Sequence, residues 1–214
     1  MKIPAIIAAG ASLALAFSCS SRLPASWTDG EKAIINGRSP ARVLTVEDSL
    51  DLKILRNSSI ALEDADLMSD EYAGLAALLV ATVTDPSQDG VGIAAPQIGI
   101  SRRIVAVQRF DKEGEPFEVY PNIRIVATRG EKEPGPEGCL SVPRYRGTVE
   151  RWQEIDICYS KAGGPEARED GTQPEVRDTT ETVKGYTAVI FQHECDHLDG
   201  VLYVDKAITL SKDI

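Results

Sequence analysis

The chain has 214 residues, 43% of them hydrophobic and 26% charged, which is enough to bury the core of one ordinary globular domain. Lys and Arg number 23 against 33 Asp and Glu, a formal net charge of −10. Acidity of that size excludes the basic footprint that nucleic-acid phosphates require.

From the N-terminus, Lys2 precedes an apolar run from Ile3 to Phe17, followed by Ser18-Cys19-Ser20-Ser21. A positive start, a short apolar core and small residues read as a secretory signal peptide over residues 1–19. The run is too short at helical rise for a comfortable permanent membrane span. Cys19 resembles the lipidated cysteine of bacterial lipoprotein signals, although Ala16 stands where leucine is usual and Phe17 is bulky. An ordinary cleaved signal, or an apolar N-terminal helix on a cytoplasmic protein, are the other readings. The expected address is the cell envelope, with membrane contact only through a lipid on Cys19.

Residues 20–40 carry Ser, Gly and Pro without a sustained period and read as a tether, leaving residues 41–214 as the domain. Asp64 to Val83 has helical apolar spacing, and Thr84 to Gly90 breaks it. Arg103–Val107 and Phe117–Tyr120 are strand-like, and Asn122–Ala127 can pair beside them. Glu154–Tyr159 alternates strictly polar and apolar, as a half-buried strand does. Lys161–Thr182 is polar and reads as a surface excursion, whereas Tyr186–Leu198 crowds Ala188, Val189, Ile190 and Phe191 into a largely buried helix. The chain ends soon after Val204-Asp205. This order predicts an α+β domain, with mixed, mainly antiparallel sheets packed around a buried central helix that carries an HExxH motif.

That motif holds the only two histidines, in Gln192-His193-Glu194-Cys195-Asp196-His197. On a helix the i, i+4 spacing puts both imidazoles on one face, where they can reach a single ion. Glu194 then lies beside the ion, placed to take a proton from a bound water. Two solvated histidines near a helix end are the alternative. Cys158 and Cys195 are expected as free buried thiols, since no spacing demands a bridge.

Two further segments stand out: Gly90-Val91-Gly92-Ile93-Ala94-Ala95-Pro96-Gln97 and Glu137-Gly138-Cys139-Leu140-Ser141. With Gln192-His193-Glu194-Cys195-Asp196-His197-Leu198-Asp199-Gly200, in this order, they resemble the GxGxAAxQ, EGCLS and QHExDHLxG signatures of the peptide deformylases. The resemblance runs from about residue 40 to about residue 210. It implies metal-dependent hydrolysis of the formyl group from formyl-methionyl or similar N-formylated peptides. It also implies one divalent ion, Fe2+ in the family with Zn2+ or Ni2+ also suited, held by Cys139, His193 and His197 with a fourth position open. Glu194 takes the role of general base, and the Gln97 side chain and Leu140 amide that of oxyanion donors. Val91 and Gly92 are implied at the substrate, where glycine lets backbone approach a ligand closely. Arg146 is implied beside the peptide backbone, and Val189 and Ile190, with Tyr186, at a methionine pocket. Glu137 and Arg151 match a pair that holds the substrate loop and are expected just behind the metal ligands, and Asp196 and Gln192 are candidates for orienting the imidazoles. Plainer readings exist: exposed charges for Arg146, and simple core for the apolar helix residues. The long C-terminal helix of many relatives is expected to be absent or vestigial.

Two other functions use the same residues. A zincin-type endopeptidase shares HExxH but takes a third ligand from a downstream His or Glu, and the chain has no third histidine. A non-catalytic metal- or peptide-binding lipoprotein would have no need of Glu194 or Gln97. An exported deformylase has no ribosome to serve, which leaves its physiological substrate open.

Overall fold

The structure, a computed structural model, describes residues 27–88, 90–162 and 176–212. The signal-peptide reading of residues 1–19 and the lipid anchor on Cys19 lie outside the described residues.

The described part of the expected tether, from residue 27 on, is folded. Helix α1 (Asp29–Ile35) starts at Thr28, whose hydroxyl accepts from Glu31 N while the Glu31 carboxylate accepts from Thr28 N. This is a capping box, and its Thr-x-x-Glu signature was present in a segment whose Gly, Ser and Pro content suggested slack chain. Glu31 also receives two hydrogen bonds from Arg102, at 2.6 and 3.0 Å. Arg102 is almost completely buried and lies against the Trp27 ring, 4.8 Å from its centroid. Trp27 in turn donates to Ser69 Oγ at 2.9 Å.

Helix α2 (Ser49–Leu55) is capped by Asp48 and anchored by Asp51, which Arg42 grips through two hydrogen bonds of 2.7 Å. The single helix expected over 64–83 is two, α3 (Asp64–Leu67) and α4 (Asp70–Val83). Ser69 makes the break: its hydroxyl accepts from Tyr72 N as the cap of α4 and donates to Asp66 O.

Strands β1 (Gly92–Ala94), β2 (Ile104–Gln108) and β3 (Phe117–Pro121) form an antiparallel sheet in that order. A second sheet contains β4 (Arg124–Cys139), β5 (Val142–Ala162) and β6 (Val176–Lys184), with β7 (Thr209–Lys212) also pairing β5. Both sheets are antiparallel throughout, and the class is α+β as expected. Two boundaries differ from the sequence reading. The short strand at 122–127 continues to Cys139 through Pro134 and Pro136, which a central strand would not accept. Of the named strands only β5 pairs with β4, so the prolines sit on a sheet edge, where a missing N–H costs no ladder bond. The end of the supposed excursion 161–182 is strand β6, whose Val176–Lys184 pair with Glu154–Ala162. Of its side chains only Val183 is fully buried, so its polar composition hid a strand that packs on one residue.

Helix α5 (Gly185–Leu198) lies between the sheets, with nine residues buried, and so contacts protein on most of its circumference. Phe191, Ala188, Cys195 and Leu198 join Val105, Val107, Ile155 and Ile157 in one core. On the other face of the first sheet, Leu75, Leu78 and Leu79 of α4 pack on Ile93, Ile104 and Ala106. The continuously apolar β2 is thus covered on both faces. Cys139, Cys158 and Cys195 are free thiols.

Gly200 ends α5 at φ +72°, with Gly200 N donating to His197 O and Val201 N to Asp196 O, the paired bonds of a Schellman motif. A Cβ there would overlap the Arg56 carbonyl. Gly200→Ala is therefore expected to destabilise the fold by at least about 1–2 kcal/mol from the left-handed backbone alone. A lower urea midpoint at unchanged m-value checks this.

Candidate metal centre

Two elements bring the candidate ligands together. Helix α5 carries His193 and His197 one turn apart, with ring centroids separated by 5.1 Å. Strand β4 ends at Cys139, and its Sγ lies 3.2 Å from His197 Nε2. One ligand atom from each of Cys139, His193 and His197 falls within 4.8 Å of the others.

Glu137 decides which His193 nitrogen faces this cluster. Its Oε2 lies 2.8 Å from His193 Nδ1. Burial opposes ionisation of Glu137, but hydrogen bonds from His193 and Arg151 hold its carboxyl down at about 2. An ionised carboxylate can only accept, so Nδ1 carries the proton and Nε2 is left to ligate. Cys139 is likewise held well below its ordinary value, burial being outweighed by the two imidazoles. Three crowded donor atoms, one of them a thiol biased toward thiolate, fit a single divalent ion of the zinc or ferrous kind. The His197 Nδ1 atom is buried with no hydrogen-bond partner among the described residues.

Glu194 is 4% exposed and its Oε2 has no hydrogen-bond partner among the described residues. Burial pushes its carboxyl up to about 7, against the pull of the two imidazoles. It packs on β1: a Cβ at Gly92 would sit 2.6 Å from Glu194 Oε1 and 2.8 Å from Ile190 Cγ2. Gly92 is thus required by the carboxylate beside it.

Gln97 belongs to the 3-10 turn Ala95–Ile98 that follows β1, with Pro96 near its start where a proline is tolerated. Its Oε1 accepts from Ala94 N at 2.8 Å, so its Nε2 faces Ser141 Oγ at 3.2 Å and Cys139 Sγ at 3.7 Å. The amide is thereby aimed as a donor at the space beside the thiol. In the hydrolysis that the sequence resemblance implies, Gln97→Leu is expected to lower kcat about 10²–10³-fold, the usual cost of one oxyanion donor. Unchanged metal content together with a steady-state rate assay checks that outcome.

A cavity of about 480 Å³ opens over these groups. Val91, Gly92, Gln97, Leu140, Arg146, Val189, Ile190, His193 and Glu194 all line it, as does Tyr186. Tyr186 is 55% exposed and its ring lies 5.3 Å from that of Phe110. Arg151 stays outside the cavity. It donates to both oxygens of Glu137, at 2.7 and 3.0 Å, and Glu137 in turn holds His193, so the pair stands behind a metal ligand as expected. Asp196 contacts Arg151 and neither imidazole, and Gln192 ties α5 to the backbone of Trp152. Sequence reasoning missed Tyr203, whose ring stacks on His193 with centroids 5.9 Å apart, and Arg144 and Tyr145 at the cavity wall. Arg144 and Tyr145 follow the Cys139 motif closely enough for proximity to have suggested them.

Residues 40–213 match the family model described as polypeptide deformylase. A peptide deformylase of Desulforudis audaxviator is 42% identical over 123 residues, covering 58% of this chain and 70% of that relative. One from Caulobacter vibrioides is 33% identical over 174 residues, 80% of this chain and 90% of the relative. The crystal structure of peptide deformylase from Thermotoga maritima superposes with a TM-score of 0.62 at 28% identity, covering 79% of this chain and 98% of that one. A Met-Ala-Ser-bound class I type b peptide deformylase from Acinetobacter baumannii gives 0.62 at 32% identity, covering 78% and 97%.

Proposed function

The chain belongs to the polypeptide deformylase family, and we propose that it hydrolyses the formyl group from formyl-methionyl or similar N-formylated peptides, using one divalent ion held by Cys139, His193 and His197. The observation that carries this reading is the placement of Glu194 and Gln97 in one cavity with Cys139 and His193, beside His197. When bound, the ion supplies Lewis acidity toward a water and the formyl oxygen. Everything else falls to the chain. Glu194 accepts the proton of the attacking water and returns it to the departing amine, a task suited to a buried carboxyl near neutrality. Gln97 Nε2 and the Leu140 amide receive the negative charge that develops on the formyl oxygen. Strands β1 and β4 both line the cavity and, among the described residues, each pairs with a neighbour on one side only, leaving two edges for an extended peptide. The Met-Ala-Ser held by the Acinetobacter relative supports a peptide that begins with methionine.

The test is turnover of formyl-Met-Ala-Ser by protein loaded in turn with Fe2+, Ni2+ and Zn2+, beside the acetylated peptide and an unblocked longer peptide. Release of formate from the first is expected. Metal binding with no hydrolysis would favour the binding-protein reading, and cleavage of internal bonds the endopeptidase.

We also propose that residues 1–19 export the protein to the cell envelope, with a lipid on Cys19 as its anchor. Lys2, the apolar run Ile3–Phe17 and the position of Cys19 support this. Cell fractionation tests it, and recovery in the cytosol with Met1 intact would overturn it.

A further inference from the structure

One short turn after α5 touches His193 twice, once directly and once through a chain of charges. The 3-10 turn Tyr203–Asp205 carries Tyr203, 1% exposed, whose ring is inclined only 23° to the His193 imidazole. Lys206, the next residue, donates to Asp196 Oδ1 at 2.6 Å. Asp196 Oδ2 accepts from Arg151 Nη1 at 2.6 Å, Arg151 grips Glu137, and Glu137 accepts Nδ1–H of His193. Positive and negative groups thus alternate from an exposed lysine to a half-buried ligand. The turn is itself pinned, because Tyr203 Oη donates to Tyr145 O at 2.9 Å and Arg56 pairs with Asp205.

An isolated surface ion pair contributes little, and Lys206 is 44% exposed. Its partner is a different matter. Asp196 is 15% exposed and Arg151 4%, so Arg151 has little solvent to turn to. A carboxylate held at both oxygens cannot swing about its own axis, and this keeps the Arg151 fork aligned with Glu137. Outer partners that orient a ligating imidazole typically change metal affinity by about 10–100-fold.

We propose that Lys206 is a positioning residue for the metal centre, fixing the His193 imidazole through Asp196, Arg151 and Glu137. The proposal rests on the reading of His193 as a metal ligand. The experiment compares the parent, Lys206→Met, Lys206→Arg, Glu137→Gln and the Lys206→Met/Glu137→Gln double variant, all loaded with Co2+. Release of cobalt to a chelator and the visible spectrum of the bound ion are recorded for each. Lys206→Met is expected to release cobalt about tenfold faster with a shifted spectrum, while Lys206→Arg behaves as the parent. The same change in the Glu137→Gln background is expected to add nothing, since the chain is already cut. Release at the parental rate from Lys206→Met, or equal acceleration in both backgrounds, would overturn the positioning role alone. A parent that takes up no cobalt overturns the metal-ligand reading and this proposal with it.

Discussion

Glu194→Gln is expected to lower deformylation about 10³-fold while the metal stays bound, in the middle of the range for a lost general acid–base group. The substitution keeps the shape of the side chain and its seat against Gly92. What disappears is an acceptor able to bind and return a proton. Neither ligating nitrogen depends on Glu194, because His193 is oriented by Glu137 and His197 Nε2 faces Cys139. Metal content by elemental analysis should therefore match the parent. Turnover above a tenth of the parental value would remove Glu194 from the proposed role.

The second large effect is expected from Cys139→Ala. Loss of one of three ligands should weaken metal retention by more than the roughly 10–100-fold that an outer partner costs. Dialysis against a mild chelator, followed by elemental analysis, reads it directly, and nickel or cobalt protein should also lose its thiolate absorption. The metal-free fold should melt within a few degrees of the parent. Cys139 is half-buried beside the small core of Val142, Val149, Leu202 and Tyr203, and the change removes only its sulfur atom. Full metal content in this variant would mean that the ion is held elsewhere.

The site was largely legible because its chemistry is local. His193, Glu194 and His197 lie within about one helical turn, Cys139 and Leu140 adjoin each other, and Gln97 closes a four-residue turn with Ala94. The poorly read segments were those where composition and contact disagree. A Gly/Ser/Pro-bearing stretch became α1 through one capping box and a buried arginine from elsewhere in the chain. Proline-bearing β4 and polar β6 are strands because β5 pairs with them, and neither carries enough apolar alternation to say so alone.

By itself the sequence determined the family, the α+β class and the residue types the reaction needs, since those depend on short motifs and on periodicity. Tertiary structure alone decided which atoms hold the ligands and in what order. Glu137, Arg151, Asp196 and Lys206 come from four separate segments, and Tyr203 reaches His193 from a turn beyond the helix. Such partners have no fixed spacing from the residues they support. They meet because β5 and the turn after α5 pack against the same face of one buried helix, and only packing brings them there.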